Sequence, residues 1–383
     1  MTWYLIMLSI ILLFGYLQIS VEKKGYNAAR LFLGLSCWML FAFAAFRGRM
    51  VGADTKQYQD IFDWVKTKSI FELHKIKAPY WWDNTFGTEY TYKIYNKIIS
   101  YFNSNRQIIT IVNSVFIMFP IWMLIKKQSP YFWLSIFLFY TLGFYQTALN
   151  LTPSAIASLI CLNALPLIAQ KKPIQYFLIV SIAFLFHTSA YIFIPIYFLP
   201  KIKLNLRRFI IIMIVGFAIS LIYTQMQGIL LRITPAKYAP YVRSSSIKIE
   251  QLFVFAGHMS VFVFLLYFIK DKKEFFEKNT VGLYIFLIES ILYFFTFYNI
   301  SFSRAAFLFS PYLVILFPNM LMQINREQYP LTEGAKTRDK GVHAGVRNGY
   351  YLMVVALCIF QYIARIGINN IGRTMPYEFF FYS

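Results

Sequence analysis

Long apolar stretches recur along the 383-residue chain, separated by intervals that are mostly short and basic. They fall near residues 2–20, 28–46, 108–125, 131–150, 152–169, 174–199, 209–226, 251–269, 280–298, 304–323 and 350–367. A helix needs about 20 apolar residues to cross a bilayer core of roughly 30 Å, and these stretches match that length. Lipid offers the backbone no hydrogen-bonding partner, so each stretch is predicted to be helical. The expected fold is an all-α polytopic membrane protein, one integral unit over residues 1–383, with about 10–11 transmembrane helices. The opening MTWYLIMLSI has neither a basic n-region nor a small-residue cleavage site, which predicts a retained first span.

Three intervals are long: 47–107, 225–250 and 324–349. Among the short ones, Lys23, Lys24 and Arg30 follow the first stretch, Lys126 and Lys127 the third, and Lys171 and Lys172 the fifth. The excess of Lys and Arg on cytoplasmic loops places all three inside and leaves 47–107 outside. Strict alternation then fails, because Lys201, Lys203, Arg207 and Arg208 follow the sixth stretch and would face outward. A re-entrant 174–199, turning near His187-Thr188-Ser189, restores the rule. It returns the basic clusters at 201–208, 270–278 and 326–347 to the cytoplasmic face and places 225–250 and 299–303 on the outer face, making 225–250 a second external loop and 324–349 a cytoplasmic one. The alternative is a simple eleven-span chain that breaks the charge rule in its second half.

Composition agrees with this pattern. The chain is 58% apolar, 20% aromatic and 14% charged, whereas a soluble chain is about 45–50% apolar and about 25% charged. Lys and Arg exceed Asp and Glu by 37 to 16, a net charge of +21. In a soluble protein that excess would point to nucleic acid; distributed between apolar spans it sets topology, and no nucleic-acid partner is expected. Cys37, Cys161 and Cys358 lie inside apolar stretches and read as small buried hydrophobes; no spacing suggests a metal site.

Most of the polar chemistry falls in 47–107. FRGRMVGADTKQYQDIF supplies Arg47, Arg49, Asp54, Thr55, Tyr58 and Asp60 directly after the second stretch. Gly52 permits a turn into a helix capped by Asp54 or Thr55, and the i, i+4 spacing puts Asp54 and Tyr58 on one face. A plain helix cap with two snorkelling arginines explains the same residues. Further on come Trp81, Trp82, Asp83, Glu89, Tyr90, Tyr92 and Tyr95. Aromatic faces beside carboxylates suit sugar rings, and an aromatic belt at the headgroups is the competing reading.

Ionisable residues within spans are costly and usually functional. His187 in AFLFHTSAY and His258 in FAGHMS could each be packing histidines bonded to a carbonyl. Glu289 is expected to pair with a span arginine. Arg304 begins a span at the outer side, and Arg232 and Arg243 belong to the second external loop. The planar, permanently charged arginine fork matches diphosphate. No Walker motif, GxSxG, HExxH or dinucleotide fingerprint occurs. An external membrane enzyme without nucleotide machinery takes activated substrate from the lipid, and polyprenyl-diphosphate sugars are that class.

RGRMVGADTKQYQDIF resembles the Arg…GlyThrAspThr…Tyr…Phe signature of the EpsG family, grouped with Wzy-type bacterial polysaccharide polymerases. Glu89-Tyr90 before the next span, FHTSAYIFIPIYFL and SRAAFLFSPYLVILFPNML resemble the family's later landmarks in order. Together they span roughly residues 30–323. Two positions depart: Ala53 stands where the family has Thr, and Pro153-Ser154 where it tends to carry Arg-Gln after Asn150. The second departure removes one expected diphosphate contact or shifts it to Arg232, Arg243 or Arg304.

The resemblance implies a GT-C-like polytopic fold in the bacterial inner membrane with an outward-facing site. It implies polymerisation of repeat units on undecaprenyl diphosphate, the growing chain passing to the non-reducing end of a fresh lipid-linked unit. Asp54 is then the base or acceptor-orienting group, with Glu89 as rival and His187 alongside. Arg47, Arg49 and Arg304 hold diphosphate, supported by Arg232 and Arg243. Tyr58, Thr55, Trp81, Trp82 and Tyr90 contact sugar. The implied partners are the lipid-linked oligosaccharide as donor and acceptor, membrane lipids and a chain-length regulator protein, with no cofactor and no metal. A lipid-linked oligosaccharide flippase, an O-antigen-ligase-type transferase and a membrane acyltransferase remain as rivals.

Overall fold

The computed structural model describes residues 1–73, 90–233, 249–328, 349–368 and 372–382, together with Ala239, Val242 and Asn370. All eleven apolar stretches are helical, and the described residues contain no named strand. Helix α1 covers Thr2–Lys23 and α2 covers Ala29–Ala45. Two amphipathic helices follow, α3 over Thr55–Lys66 and α4 over Tyr90–Phe102, and then α5 over Gln107–Gln128. The fourth stretch is broken into α6, Phe132–Thr141, and α7, Phe144–Asn150, bent by 56° around Gly143. The fifth gives α8, Thr152–Ala164, and the short α9, Pro166–Ala169. Next come α10, Pro173–Phe186, and a 3₁₀ segment, Thr188–Tyr197. The second half holds α11 (Leu206–Leu221), α12 (Tyr223–Ile233), α13 (Ile249–Phe268), α14 (Lys272–Lys278) and α15 (Thr280–Phe295). It ends with α16 (Ser301–Phe307), α17 (Leu313–Gln328) and α18 (Gly349–Tyr362).

Five of these helices are long and apolar enough to cross a bilayer alone, and three bent pairs raise the number to eight. Ala29–Ala45, Pro173–Phe186 and Phe253–Phe268 are shorter apolar helices. The expected 10–11 crossings therefore exceed what length and composition support helix by helix, because breaks at Gly143, Ile222 and Asn279 divide several spans. The interval bounds move as well. Helix α17 runs to Gln328, into the expected 324–349 loop, and α12 occupies the start of the expected 225–250 loop.

The sixth stretch turns back on itself. Pro173 opens α10 at a first-turn position, where its missing N–H costs nothing. The helix stops at Phe186, and the 3₁₀ segment runs antiparallel along it. Near the base, Tyr176 donates through its hydroxyl to the Phe193 carbonyl at 2.7 Å, and the Tyr176 and Tyr197 rings lie 5.3 Å apart. Fourteen residues of α-helix rise about 21 Å at 1.5 Å each. Ten residues of 3₁₀ at about 2.0 Å each return nearly the same distance.

With that hairpin in place, the chain sorts to two ends. At the basic end Asn325 bonds to Tyr131 (2.9 Å), the Lys270 N–H donates to Glu327 (2.6 Å), and Tyr284 donates to the Ile202 carbonyl (3.0 Å). At the opposite end lie 46–60, α4, Asn150, Asn299 to Arg304 and residues 372–380, described below. The hairpin tip reaches that end: the Phe186 ring sits 5.6 Å from Tyr95 of α4. Single cysteines placed at Lys172 and Lys203 should therefore react with an impermeant maleimide from the same membrane face. The native Cys37, Cys161 and Cys358 are buried and give little background. Labelling from opposite faces would show that the segment crosses.

Candidate active site

Helix α3 forms because Tyr58, Ile61, Phe62 and Val65 recur at helical spacing, and their stripe packs on Tyr92 and Ile99 of α4. Its position over the spans is fixed by a chain of amides. Gln59 donates to Gln107 (3.2 Å) and Thr110 (3.1 Å), and Gln107 donates to the carbonyls of Ala45 (2.7 Å) and Arg47 (3.2 Å). Two otherwise unpaired carbonyls after α2 are thereby satisfied.

The turn entering α3 is built around Asn150, at the end of α7. The Asn150 Oδ1 accepts the Ala53 N–H at 2.6 Å, and its carbonyl accepts the Tyr58 hydroxyl at 2.8 Å. Gly52, at φ 98°, and Gly372, at φ 91°, both press on this side chain. A Cβ on Gly52 would lie 2.8 Å from Asn150 Oδ1, and one on Gly372 would lie 2.3 Å from Nδ2. Only glycine fits between them. Residues 372–380 complete the turn: Gly52 and Ala53 donate to the carbonyls of Arg373 (3.0 Å) and Gly372 (2.9 Å), and Gly48 donates to Glu378 (2.7 Å).

Asp54 occupies the position before α3, yet its carboxylate caps nothing. Thr55 does not cap either. Its hydroxyl donates to the Val51 carbonyl (2.7 Å) and accepts Arg47 Nε (3.3 Å). The expected cap is thus absent, because Asn150 and the C-terminal segment supply the turn's hydrogen bonds instead. Asp54 remains half-buried and faces Arg304, the exposed guanidinium of α16. Burial raises its proton affinity above the ordinary aspartate range, and the Arg304 cation opposes that rise. Tyr58 lies beside the same pair, and burial followed by the Asp54 charge pushes its hydroxyl well up, so it stays a donor.

The other anticipated residues separate. Arg47 is 2% exposed; its guanidinium bonds to the Ala44 carbonyl, to Leu149 (3.5 Å) and to Thr55, so the fork is occupied within the protein. Arg49 pairs with Asp60. Arg232 is exposed on the last turn of α12, at the same end of the molecule as Arg304. Asn299, five residues before Arg304, bonds to the Val242 carbonyl (3.2 Å) and to Tyr223 of α12 (3.3 Å). Tyr90 is exposed at the start of α4. Trp81, Trp82, Glu89 and Arg243 lie outside the described residues. His187 caps the 3₁₀ segment: its Nδ1 accepts the Ser189 N–H at 3.2 Å and lies 2.6 Å from the Ser189 hydroxyl.

Two polar groups inside the spans stand out, one against expectation and one not anticipated. Glu289 pairs with His258, not with an arginine: Nδ1 lies 2.9 Å from Oε1, both residues are 1% exposed, and Ser310 donates to the same oxygen at 2.5 Å. Arg365 braces the α6–α7 bend through the Leu142 carbonyl and Thr147 (3.0 Å). Sequence reasoning missed Arg365, the bridging role of Asn150 and all of 372–380. Asn150 was legible as a polar residue closing an apolar stretch and as part of the family landmark before Pro153-Ser154, not as a bridge to residue 53.

The described residues hold no His, Cys, Asp and Glu grouping that could bind a metal. What they gather is a half-buried carboxylate, an exposed arginine and a tyrosine at one end of an apolar helical scaffold. This is an all-α polytopic membrane protein with a polar site at one end of its spans. The chain belongs to the EpsG family, whose profile matches residues 30–332, and the family is consistent with Wzy-type polysaccharide polymerases. No curated protein and no solved structure matches it.

Substituting Asn150 with Ala should leave the Ala53 N–H without its partner, a loss of about 1–3 kcal/mol. The expected readout is a lower thermal midpoint for the solubilised protein and faster proteolysis within 48–56. An unchanged midpoint and cleavage pattern would remove Asn150 from its bridging role.

Proposed function

We propose that the protein polymerises lipid-linked oligosaccharide repeat units at the outer face of the bacterial inner membrane, on a GT-C-like scaffold. The growing chain leaves undecaprenyl diphosphate and passes to the non-reducing sugar of a new lipid-linked unit. The observation that carries this reading is Asp54: a half-buried carboxylate, released from capping, facing an exposed arginine. The EpsG match supports polysaccharide biosynthesis as its setting.

The chemistry divides between two groups. The acceptor hydroxyl attacks the anomeric carbon of the donor; the new C–O bond forms as the bond to diphosphate breaks. The hydroxyl proton goes to Asp54, whose raised proton affinity makes it a stronger base than a solvated aspartate. The leaving diphosphate keeps the bonding electrons, and the Arg304 cation stabilises its charge as it develops. Tyr58 orients the acceptor. Arg47, enclosed by its own hydrogen bonds, holds the turn that presents Asp54. His187 acts through the hairpin tip it caps, and Arg49 and Arg232 contribute at the margin.

A flippase would need no base, so Asp54→Asn separates the readings. This variant and Arg304→Ala should leave only single repeat units on the lipid carrier in cells. Normal long chains from both would exclude the assignment, and accumulation of finished polymer on the carrier would indicate a ligase.

The pH dependence has a fixed sign. As a base, Asp54 must be ionised, so activity should fall as pH drops through its folded pKa, with a midpoint above the ordinary aspartate value of about 3.9. Removing the opposing cation in Arg304→Gln should move that midpoint higher still, measured on residual activity in membrane vesicles. A shift downward would contradict the pairing.

A further inference from the structure

Residues 372–380 lie beyond the 30–332 that match the family, yet they form part of the wall around Asp54. The segment is firmly held. Tyr4 donates to the Thr374 carbonyl (3.0 Å), Tyr377 to the Phe43 carbonyl (2.6 Å), and Phe380 N–H to Phe46 (3.0 Å). Asn370 braces its start through both the N–H and the carbonyl of Met375, each at 3.0 Å. Within this clamp Thr374 is fully buried, while Arg373 beside it is exposed.

Arg373 is unusual in backbone as well as position. Its φ is 51°, in the left-handed region that disfavours an L side chain and suits glycine. Its carbonyl accepts the Gly52 N–H, two residues before Asp54, so the strain sits at the edge of the site. The guanidinium makes no hydrogen bond with any described residue. Of the carboxylates nearby in the chain, Asp60 is engaged by Arg49 and Asp54 faces Arg304, and the strap's own Glu378 is exposed. A diphosphate presents more charged oxygens than one guanidinium can cover in its two-point geometry.

We propose that Arg373 is a substrate-binding residue, joining Arg304 in holding the diphosphate of a polyprenyl-linked donor at the turn that carries Asp54. This rests on the polymerase reading and adds a second cation from a part of the chain outside the family match. Attack on the sugar leaves the electron pair on the diphosphate, where both forks meet it, while the proton moves to Asp54.

The test uses the full-length protein in detergent, with binding of a short-chain polyprenyl diphosphate measured beside polymer formation in vesicles. Arg373→Ala and Arg373→Gly should both weaken binding on the order of tenfold or more, the loss of a charge-assisted contact. Arg373→Lys should recover part of it. Glycine is the decisive variant, since it relieves the left-handed backbone: binding by Arg373→Gly equal to the unsubstituted protein would overturn the proposal. Inorganic diphosphate is the second probe. Competition by it at comparable concentration would assign the site to free diphosphate and overturn the lipid-linked assignment. If the unsubstituted protein neither binds polyprenyl diphosphate nor forms polymer, the polymerase reading itself fails. Binding that depends on Arg304 alone removes only Arg373.

Discussion

A backbone in hydrocarbon must satisfy its own hydrogen bonds, and the rest of this structure follows from that requirement. Regular helix meets it without help. At several places where the described chain departs from helix, a side chain stands in. Arg365 supplies the Leu142 carbonyl at the α6–α7 bend, and His187 with Ser189 covers the hairpin tip. Gln107 closes the carbonyls after α2, and Asn150 takes the N–H of Ala53. Apart from the local His187–Ser189 contact, these are amides and cations from distant parts of the sequence, and they tie elements together while they repair a break.

That repair also makes the site available. At an ordinary helix start, Asp54 would turn its carboxylate onto the first-turn N–H groups. Here the entry turn is held from outside by Asn150 and by the carbonyls of Gly372 and Arg373, so the carboxylate can face Arg304. The scaffold takes over structural hydrogen bonding and releases a chemical group. Arg47 shows the opposite allocation: similar to Arg304 on paper, it is enclosed by Thr55 and the carbonyls of Ala44 and Leu149.

Local pattern was enough to read the helices, since apolar length is a property of neighbouring residues. All eleven stretches are helical, and the charge clusters singled out 174–199, the stretch that folds back on itself. Asp54, Tyr58 and Arg304 were legible as polar residues beside span ends. Pairing across the sequence was not. Nothing near residue 150 announces a contact with residue 53, and the fork of Arg47 differs from that of Arg304 only by burial. Glu289 was expected to seek an arginine and found His258, one helix away. The segment at 372–380 carried only turn residues and aromatics, so its role emerged from hydrogen bonds alone.

The clamp between residues 4–46 and residues 374–380 sets an order on assembly. Tyr4 waits for Thr374, 370 residues later, and Phe43 waits for Tyr377. At synthesis rates of about 5–20 residues per second, tens of seconds separate the two partners. Throughout that interval the turn bearing Asp54 lacks its outer support, and it becomes rigid only after α18 has joined the bundle. The Asp54 turn is therefore incomplete during that stage of biogenesis. It gains its outer wall when residues 372–380 close across the connection between α2 and α3.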